Sequence, residues 1–192
     1  MLIIDAEDAF TAMLAHQVRS LGADVDVRRY DAAVEPDGYD LVVMGPGPGD
    51  PRRRDDPKMA ALRDRLRRLV ADEVPLLAVC LSHQLLCGLL GLPVRPRERP
   101  NQGVRRTVTM AGRSVRVGFY NTFAAYSPAD EVVVPGGDRR IVVSRDADGE
   151  VYALHGRRLR SMQFHPESVL SADGQAVLTE SLMGLLPATV GS

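Results

Sequence analysis

Cys80, His165 and Glu167 are the residues of this sequence best suited to nucleophilic chemistry. The run from Val74 to Val79 reads as a buried strand ending at the Cys80 thiol, and a helical spacing of Leu85, Leu86, Leu89 and Leu90 begins at once. A nucleophile at a strand-to-helix turn stands clear of the sheet, beside backbone N–H groups such as that of Leu81, which can stabilise an oxyanion. A helix N-terminus and a nearby histidine also favour the reactive thiolate. Much later, Gln163-Phe164-His165-Pro166-Glu167-Ser168 sets an imidazole and a carboxylate two residues apart, at the end of another apolar run. A thiol, a general base and a carboxylate that orients the base are the parts of an acyl-transfer triad.

Each of these residues also has a plainer reading. A lone cysteine is most often a small core residue, and Cys87 is read that way. It cannot pair with Cys80, because seven residues of helix span roughly 10 Å. His165 alone would be a loop histidine, like His16, His83 or His155, and Glu167 alone a solvated carboxylate. Their pairing carries the argument, because a general base needs a group to orient it. The run Gly45-Pro46-Gly47-Pro48-Gly49-Asp50-Pro51 would by itself be a rigid turn. It follows a strand expected beside the one ending at Cys80, and its glycines allow a ligand close to the backbone. The Gly49 N–H is the expected second oxyanion donor. No Gly-Lys-Ser/Thr follows, so this is not a phosphate loop.

The elements that must hold these groups alternate. Leu2–Asp5 is a short apolar strand, and Phe10, Met13, Leu14, Val18 and Leu21 form a helical stripe ended by Gly22. Val25 and Val27 mark a second strand, residues 40–44 a third, and residues 57–71 an amphipathic helix with Met59, Leu62, Leu66 and Leu69 inside. After Leu92 the pattern becomes hairpin-rich: short apolar runs at 106–117, 132–134, 141–144, 151–154 and 159–164 alternate with turn signals. A last helix is expected over about 173–186. The fold class is therefore α/β, an open, mostly parallel, doubly wound sheet with antiparallel additions in the C-terminal half.

The bulk numbers are those of one ordinary globular domain covering residues 1–192, with 45% hydrophobic and 26% charged residues. A net charge of -1 gives no electrostatic reason to expect a nucleic-acid partner. Nearly all positive charge is arginine, Lys58 being the single lysine. No apolar run reaches the length of about 20 residues that spans a membrane. The chain opens on a strand without a leader-like segment, so a reduced, cytoplasmic setting is expected.

At the residues already named the chain resembles the class I, triad-type glutamine amidotransferases, over nearly its whole length. Asp5-Ala6-Glu7-Asp8-Ala9-Phe10-Thr11 is similar to that family's first turn, and Gly47-Pro48-Gly49 to its glutamine- and oxyanion-binding loop. Cys80-Leu81-Ser82-His83-Gln84 is similar to its nucleophile segment, and the stretch from Gln163 to Ser168 to its triad end. The resemblance implies that Cys80 attacks the side-chain amide of glutamine, His165 moves the proton and Glu167 orients His165. It also implies a flavodoxin-like sheet, and that Gln84 and the backbone at Thr122-Phe123 hold the α-amino and carboxylate ends of the substrate. Ammonia would pass to a chorismate-using synthase subunit or domain. No cofactor is expected for the glutaminase half, and Mg only in that synthase partner.

Three departures stand out. Ser82 replaces the usual glycine of the elbow, where a Cβ is expected to crowd the turn. Asn121-Thr122-Phe123 replaces the His-Ser-Leu usual in the anthranilate synthase branch, and Gln102-Gly103 replaces His-Gly. The opening motif and residues 119–123 look most like the amidotransferase part of the phenazine-pathway aminodeoxyisochorismate synthase. A free-standing γ-glutamyl hydrolase and a non-catalytic regulatory homologue are the alternatives. Arg52-Arg53-Arg54, within 45–56, is the expected partner contact, and a solvated arginine run is an equal reading.

Overall fold

The computed structural model describes residues 1–110 and 112–186. The first half winds β1 (Leu2–Asp5), α1 (Ala9–Ser20), β2 (Asp26–Arg29), β3 (Val42–Met44), α2 (Pro57–Ala71), β4 (Leu76–Val79) and α3 (Leu81–Leu89). The second half adds β5 (Val94–Pro96), the hairpin β6 (Val104–Met110) and β7 (Arg113–Phe119), β8 (Phe123–Tyr126) and β9 (Glu131–Val133). Strands β10 (Arg140–Arg145), β11 (Glu150–His155) and β12 (Leu159–Met162) follow, and α4 (Gly174–Met183) is the last described helix.

The main sheet runs β2-β1-β3-β4-β12-β11-β10-β9, with β8 pairing β11 and β5 pairing β8. Neighbours from β2 to β12 are parallel, and those from β12 to β9 are antiparallel. Every residue of β3 and β4 is buried, as a strand covered on both faces must be. Alternate side chains feed two cores. Ile4, Met44 and Ala78 pack with Met59, Leu62 and Leu66 of α2 and Leu85 and Leu86 of α3. Ile3, Val43 and Leu77 pack with Leu14 and Val18 of α1 and Leu178 and Leu182 of α4. Two helices therefore cover each face, as expected of a doubly wound sheet.

Helix α2 spans the expected residues because its ends are chemically marked. The Asp56 carboxylate accepts from the Lys58 and Met59 N–H groups at 2.9 and 3.0 Å, and Pro57 occupies the first turn, where no N–H is needed. The stripe expected for α1 is narrower than its apolar residues suggest. Leu14 and Val18 are buried with Thr11 and Ala15, but Met13 and Leu21 are exposed, as is Val27 of β2. Strands β5 and β8, three and four residues long, were not expected. The parallel strands place their carboxyl ends at one edge, where the loops after β1, β3 and β4 and the segment after β12 meet.

Candidate active site

Strand β4 delivers Cys80 into a conformation that L-residues seldom adopt, with φ 53° and ψ −107°. That kink turns the chain directly into α3, so the Leu81 N–H lies among the helix N-terminal donors that have no intrahelical acceptor. Cys80 is almost fully buried, and its own N–H donates to the Met162 carbonyl of β12 at 2.9 Å. The nucleophile strand and the strand leading to His165 are thus immediate neighbours. His165 is pinned in turn by its N–H to the Gly118 carbonyl of β7 at 2.9 Å.

Within the segment after β12 the His165 Nδ1–H donates to Glu167 Oε1 at 2.7 Å, with both side chains buried. This bond leaves Nε2 as the ring atom for proton exchange. Burial draws the His165 pKa down. The charge and hydrogen bond of Cys80, with those of Glu167, outweigh it and hold the imidazole up at about 11. The ring packs against Phe10, centroid at 4.6 Å, and Tyr120 at 5.2 Å, which also touch each other at 5.0 Å. Tyr120 is fixed by its hydroxyl contact with Ser168 Oγ at 2.8 Å. Phe10 is aimed by the first turn: Asp5 Oδ1 accepts from the N–H groups of Glu7 and Asp8 and from Thr11 Oγ1, and Asp8 caps α1.

The Gly45–Pro51 loop leaves β3 beside this centre, as expected from the parallel pairing of β3 with β4. Gly47 sits flush on the first turn: a Cβ there would come 2.4 Å from the Ala6 carbonyl oxygen. Gly49 has φ +138°, and a Cβ there would meet Met59 Cε at 2.6 Å. Pro48 and Gly49 themselves are exposed. Arg52 folds back from the loop end, pairs with Asp50 and places its guanidinium 4.8 Å from the Phe123 ring centroid. Arg53 pairs with Asp55 on the open surface.

A chain of buried amides lines the other wall. Asn101 Nδ2 donates to Asn121 Oδ1 at 2.8 Å, and Asn121 Nδ2 donates to the Phe123 carbonyl at 2.8 Å. Gln84 Nε2 donates to the same carbonyl at 2.8 Å and to Gln163 Oε1 at 3.0 Å. Both N–H groups of Gln84 are therefore spent, which leaves its Oε1 as the side chain's remaining polar atom, an acceptor. Arg97 N–H donates to the Thr122 carbonyl and Tyr126 N–H to that of Pro93. This fixes the ladder alternation, so Phe123 turns its N–H and C=O away from β5, towards Gln84. The carbonyls of Thr122 and Phe123 are both occupied within the protein, so an anionic group is what this backbone can still receive. A cavity of about 470 Å³ lies between α2 and α3, lined by Arg52, Arg63, Gln84 and Leu89 among others; it reaches Gln84 but is not lined by Cys80, His165 or Phe123.

The structure thus brings Cys80 against His165 and His165 against Glu167, with Leu81 next in the turn; Gln84 is joined to Phe123, and Gly47-Pro48-Gly49 lie on the neighbouring loop after β3. Sequence reasoning did not assign Asn101 or Gln163 to the site, nor foresee Phe10 and Tyr120 against the imidazole. Cys87 is a buried free thiol, and burial pushes its pKa up. His83 is fully buried against Ser161 Oγ and the Val151 carbonyl, and desolvation lowers its pKa to about 4. No helix among the described residues is long and apolar enough to cross a membrane.

Comparison with known proteins agrees with this architecture. The fold is similar to a glutamine amidotransferase from Thermotoga maritima, with TM-score 0.71, 16% identity and coverage of 96% of this chain and 94% of that one. In sequence the chain is 47% identical, over 95% of its length, to an anthranilate synthase, phenazine specific, from Pseudomonas fluorescens, of which it spans 29%. It is 32% identical to the pyocyanine-specific anthranilate synthase component 2 of Pseudomonas aeruginosa, over 94% of this chain and 92% of that protein. The family model described as glutamine amidotransferase class-I matches residues 2–185, and the chain belongs to that family.

Proposed function

We propose that this chain hydrolyses L-glutamine and hands the ammonia to a chorismate-using synthase. The observation that carries the reading is the buried His165–Glu167 pair, 2.7 Å apart, on the segment that follows β12, the strand next to the one that ends at the kinked Cys80. The Cys80 thiolate attacks the side-chain amide carbon, and the carbonyl oxygen becomes an oxyanion facing the N–H groups of Leu81 and Gly49. The C–N bond breaks as His165 gives its Nε2 proton to the nitrogen, which leaves as ammonia. Water then attacks the γ-glutamyl thioester, His165 takes its proton, and glutamate departs as the thiol is restored. Gln84 Oε1 receives the α-ammonium group, and the Phe123 N–H the α-carboxylate.

The relatives named anthranilate synthase, phenazine specific, of which this chain matches 29%, support a synthase partner of the aminodeoxyisochorismate or anthranilate type. That synthase would dock over the edge carrying Cys80 and His165, with residues 45–56 at its rim. The glutaminase steps above use only residues of this chain, and Mg belongs with the synthase. Glutamate release from glutamine is measured for the chain alone, then with a chorismate-using synthase and chorismate. A low rate raised by the partner and lost in Cys80→Ala supports the proposal. A high rate without a partner, extending to other γ-glutamyl compounds, would mark a free-standing hydrolase. No turnover in any mixture would mark a regulatory homologue.

A further inference from the structure

Ser82 is the second residue of α3, two positions after the nucleophile, and it is completely buried. Its Oγ–H donates to the Gly45 carbonyl at 2.7 Å, across 37 positions of sequence. Gly45 is itself fixed from the other side, because its N–H donates to the Ile4 carbonyl at 2.9 Å. A Cβ on Gly45 would come 2.8 Å from that same oxygen, so the base of the glycine-proline loop lies flush on β1. The first turn of α3 and the Gly45–Pro51 loop are therefore tied to each other and to β1 through one residue, Gly45. The two backbone donors assigned above to the oxyanion, from Leu81 and Gly49, sit on these two segments.

We propose that Ser82 is a positioning residue that sets the oxyanion site by holding the loop base against the nucleophile turn. This rests on the reading of the site as a glutaminase. An oxyanion site lowers the barrier only if its donors already stand where charge develops. Two donors on separate loops need a tie between the loops, and the Ser82 hydroxyl supplies one inside the protein, without help from a partner. The predicted loss is in turnover and not in glutamine binding, because the α-amino and α-carboxylate contacts lie with Gln84 and Phe123.

The test is made on the full chain with Ser82→Ala and Ser82→Gly. Glutamine hydrolysis is measured together with labelling of Cys80 by two electrophiles. A chloroketone analogue of glutamine passes through a tetrahedral oxyanion, whereas iodoacetamide alkylates sulfur by displacing iodide and forms none. The expected result is a fall in kcat of about tenfold, the scale of one lost buried hydrogen bond, with KM within about twofold. Chloroketone labelling should slow in parallel and iodoacetamide labelling should not change. Unchanged kcat and chloroketone labelling would overturn the proposal. So would an equal loss of iodoacetamide labelling, which means that the turn itself has collapsed. The glycine variant decides the matter if the alanine variant does not fold. Native protein that neither hydrolyses glutamine nor reacts with the chloroketone would remove the glutaminase reading, and the role of Ser82 with it.

Discussion

Gln84 and Asn121 donate to one acceptor, the carbonyl oxygen of Phe123, each at 2.8 Å. Both lone pairs of that oxygen are taken, one by a residue 39 positions earlier in the chain and one by a residue two positions earlier. The bonds fix the Gln84 side chain and the start of β8 as one unit. The groups of the wall left for the proposed substrate contacts are then the Gln84 oxygen and the Phe123 N–H.

Removing Asn121 should therefore disturb binding more than chemistry. Asn121→Ala leaves Asn101 Nδ2 buried without its acceptor and frees half of the Phe123 carbonyl. The expected cost is about 1–3 kcal/mol of stability and a rise in KM for glutamine larger than the fall in kcat. Denaturant unfolding and steady-state kinetics check the two halves separately.

Glu167→Gln keeps the shape of the triad but removes a charge that raises the His165 pKa. Burial still lowers that pKa, so the variant should lose its imidazolium at lower pH than the native protein. The expected outcome is a kcat reduced by about 10²- to 10⁴-fold. The alkaline limb of the kcat/KM profile should also move to lower pH. A reduced rate with an unmoved limb would show that Glu167 orients the ring without setting its charge.

The backbone at Cys80 predicts an inversion of the usual order of alanine and glycine. Glycine normally destabilises a buried, ordered position relative to alanine. At φ 53° and ψ −107° an L-side chain is strained, and glycine is not. Cys80→Gly should be more stable than Cys80→Ala by about 1 kcal/mol, with both inactive. Thermal or denaturant melts of the two variants give the answer directly.

His83 should make the fold acid-sensitive. Its folded pKa, about 4, lies below the 6.5 of a free histidine, so between those values the unfolded chain binds a proton that the folded protein refuses. The His83 contribution to stability is full above about pH 6.5 and falls as pH drops towards 4, by up to about 1.4 kcal/mol per unit. His155 is shifted in the same direction by burial and adds to the slope. Unfolding free energies at pH 7 and pH 5 should therefore differ less in His83→Gln than in the native chain.

Much of the fold could be read from local chemistry. Helix α2 is bracketed by Asp56 and Pro57, and β4 is an apolar run stopped at a thiol that helical spacing follows. The misjudged positions are those decided by tertiary contact. Met13 and Leu21 have the spacing of a buried stripe, but the α1 face that meets the sheet is occupied by Thr11, Leu14, Ala15 and Val18. Strands β5 and β8 are too short to show a period of their own. The candidate cluster of Cys80, His165 and Glu167 was legible because its residues sit in compact motifs. The Asn101–Asn121–Phe123–Gln84–Gln163 chain was not, because its links join residues up to 79 positions apart and no single amide announces its partner. The expected crowding at Ser82 has the same cause. Its acceptor, Gly45, lies on another loop, and the side chain makes a bond where only bulk was foreseen.

The bond from the Cys80 N–H to the Met162 carbonyl fastens the nucleophile to the strand that leads to the base. Sites shared between two domains are switched on by closing a hinge. Adjacent strands of one sheet have no hinge between them, so this centre stays assembled whether or not an acceptor is ready. Any economy in the use of glutamine must then be exercised at the entrance and exit, by governing what reaches the thiol and where the ammonia can go.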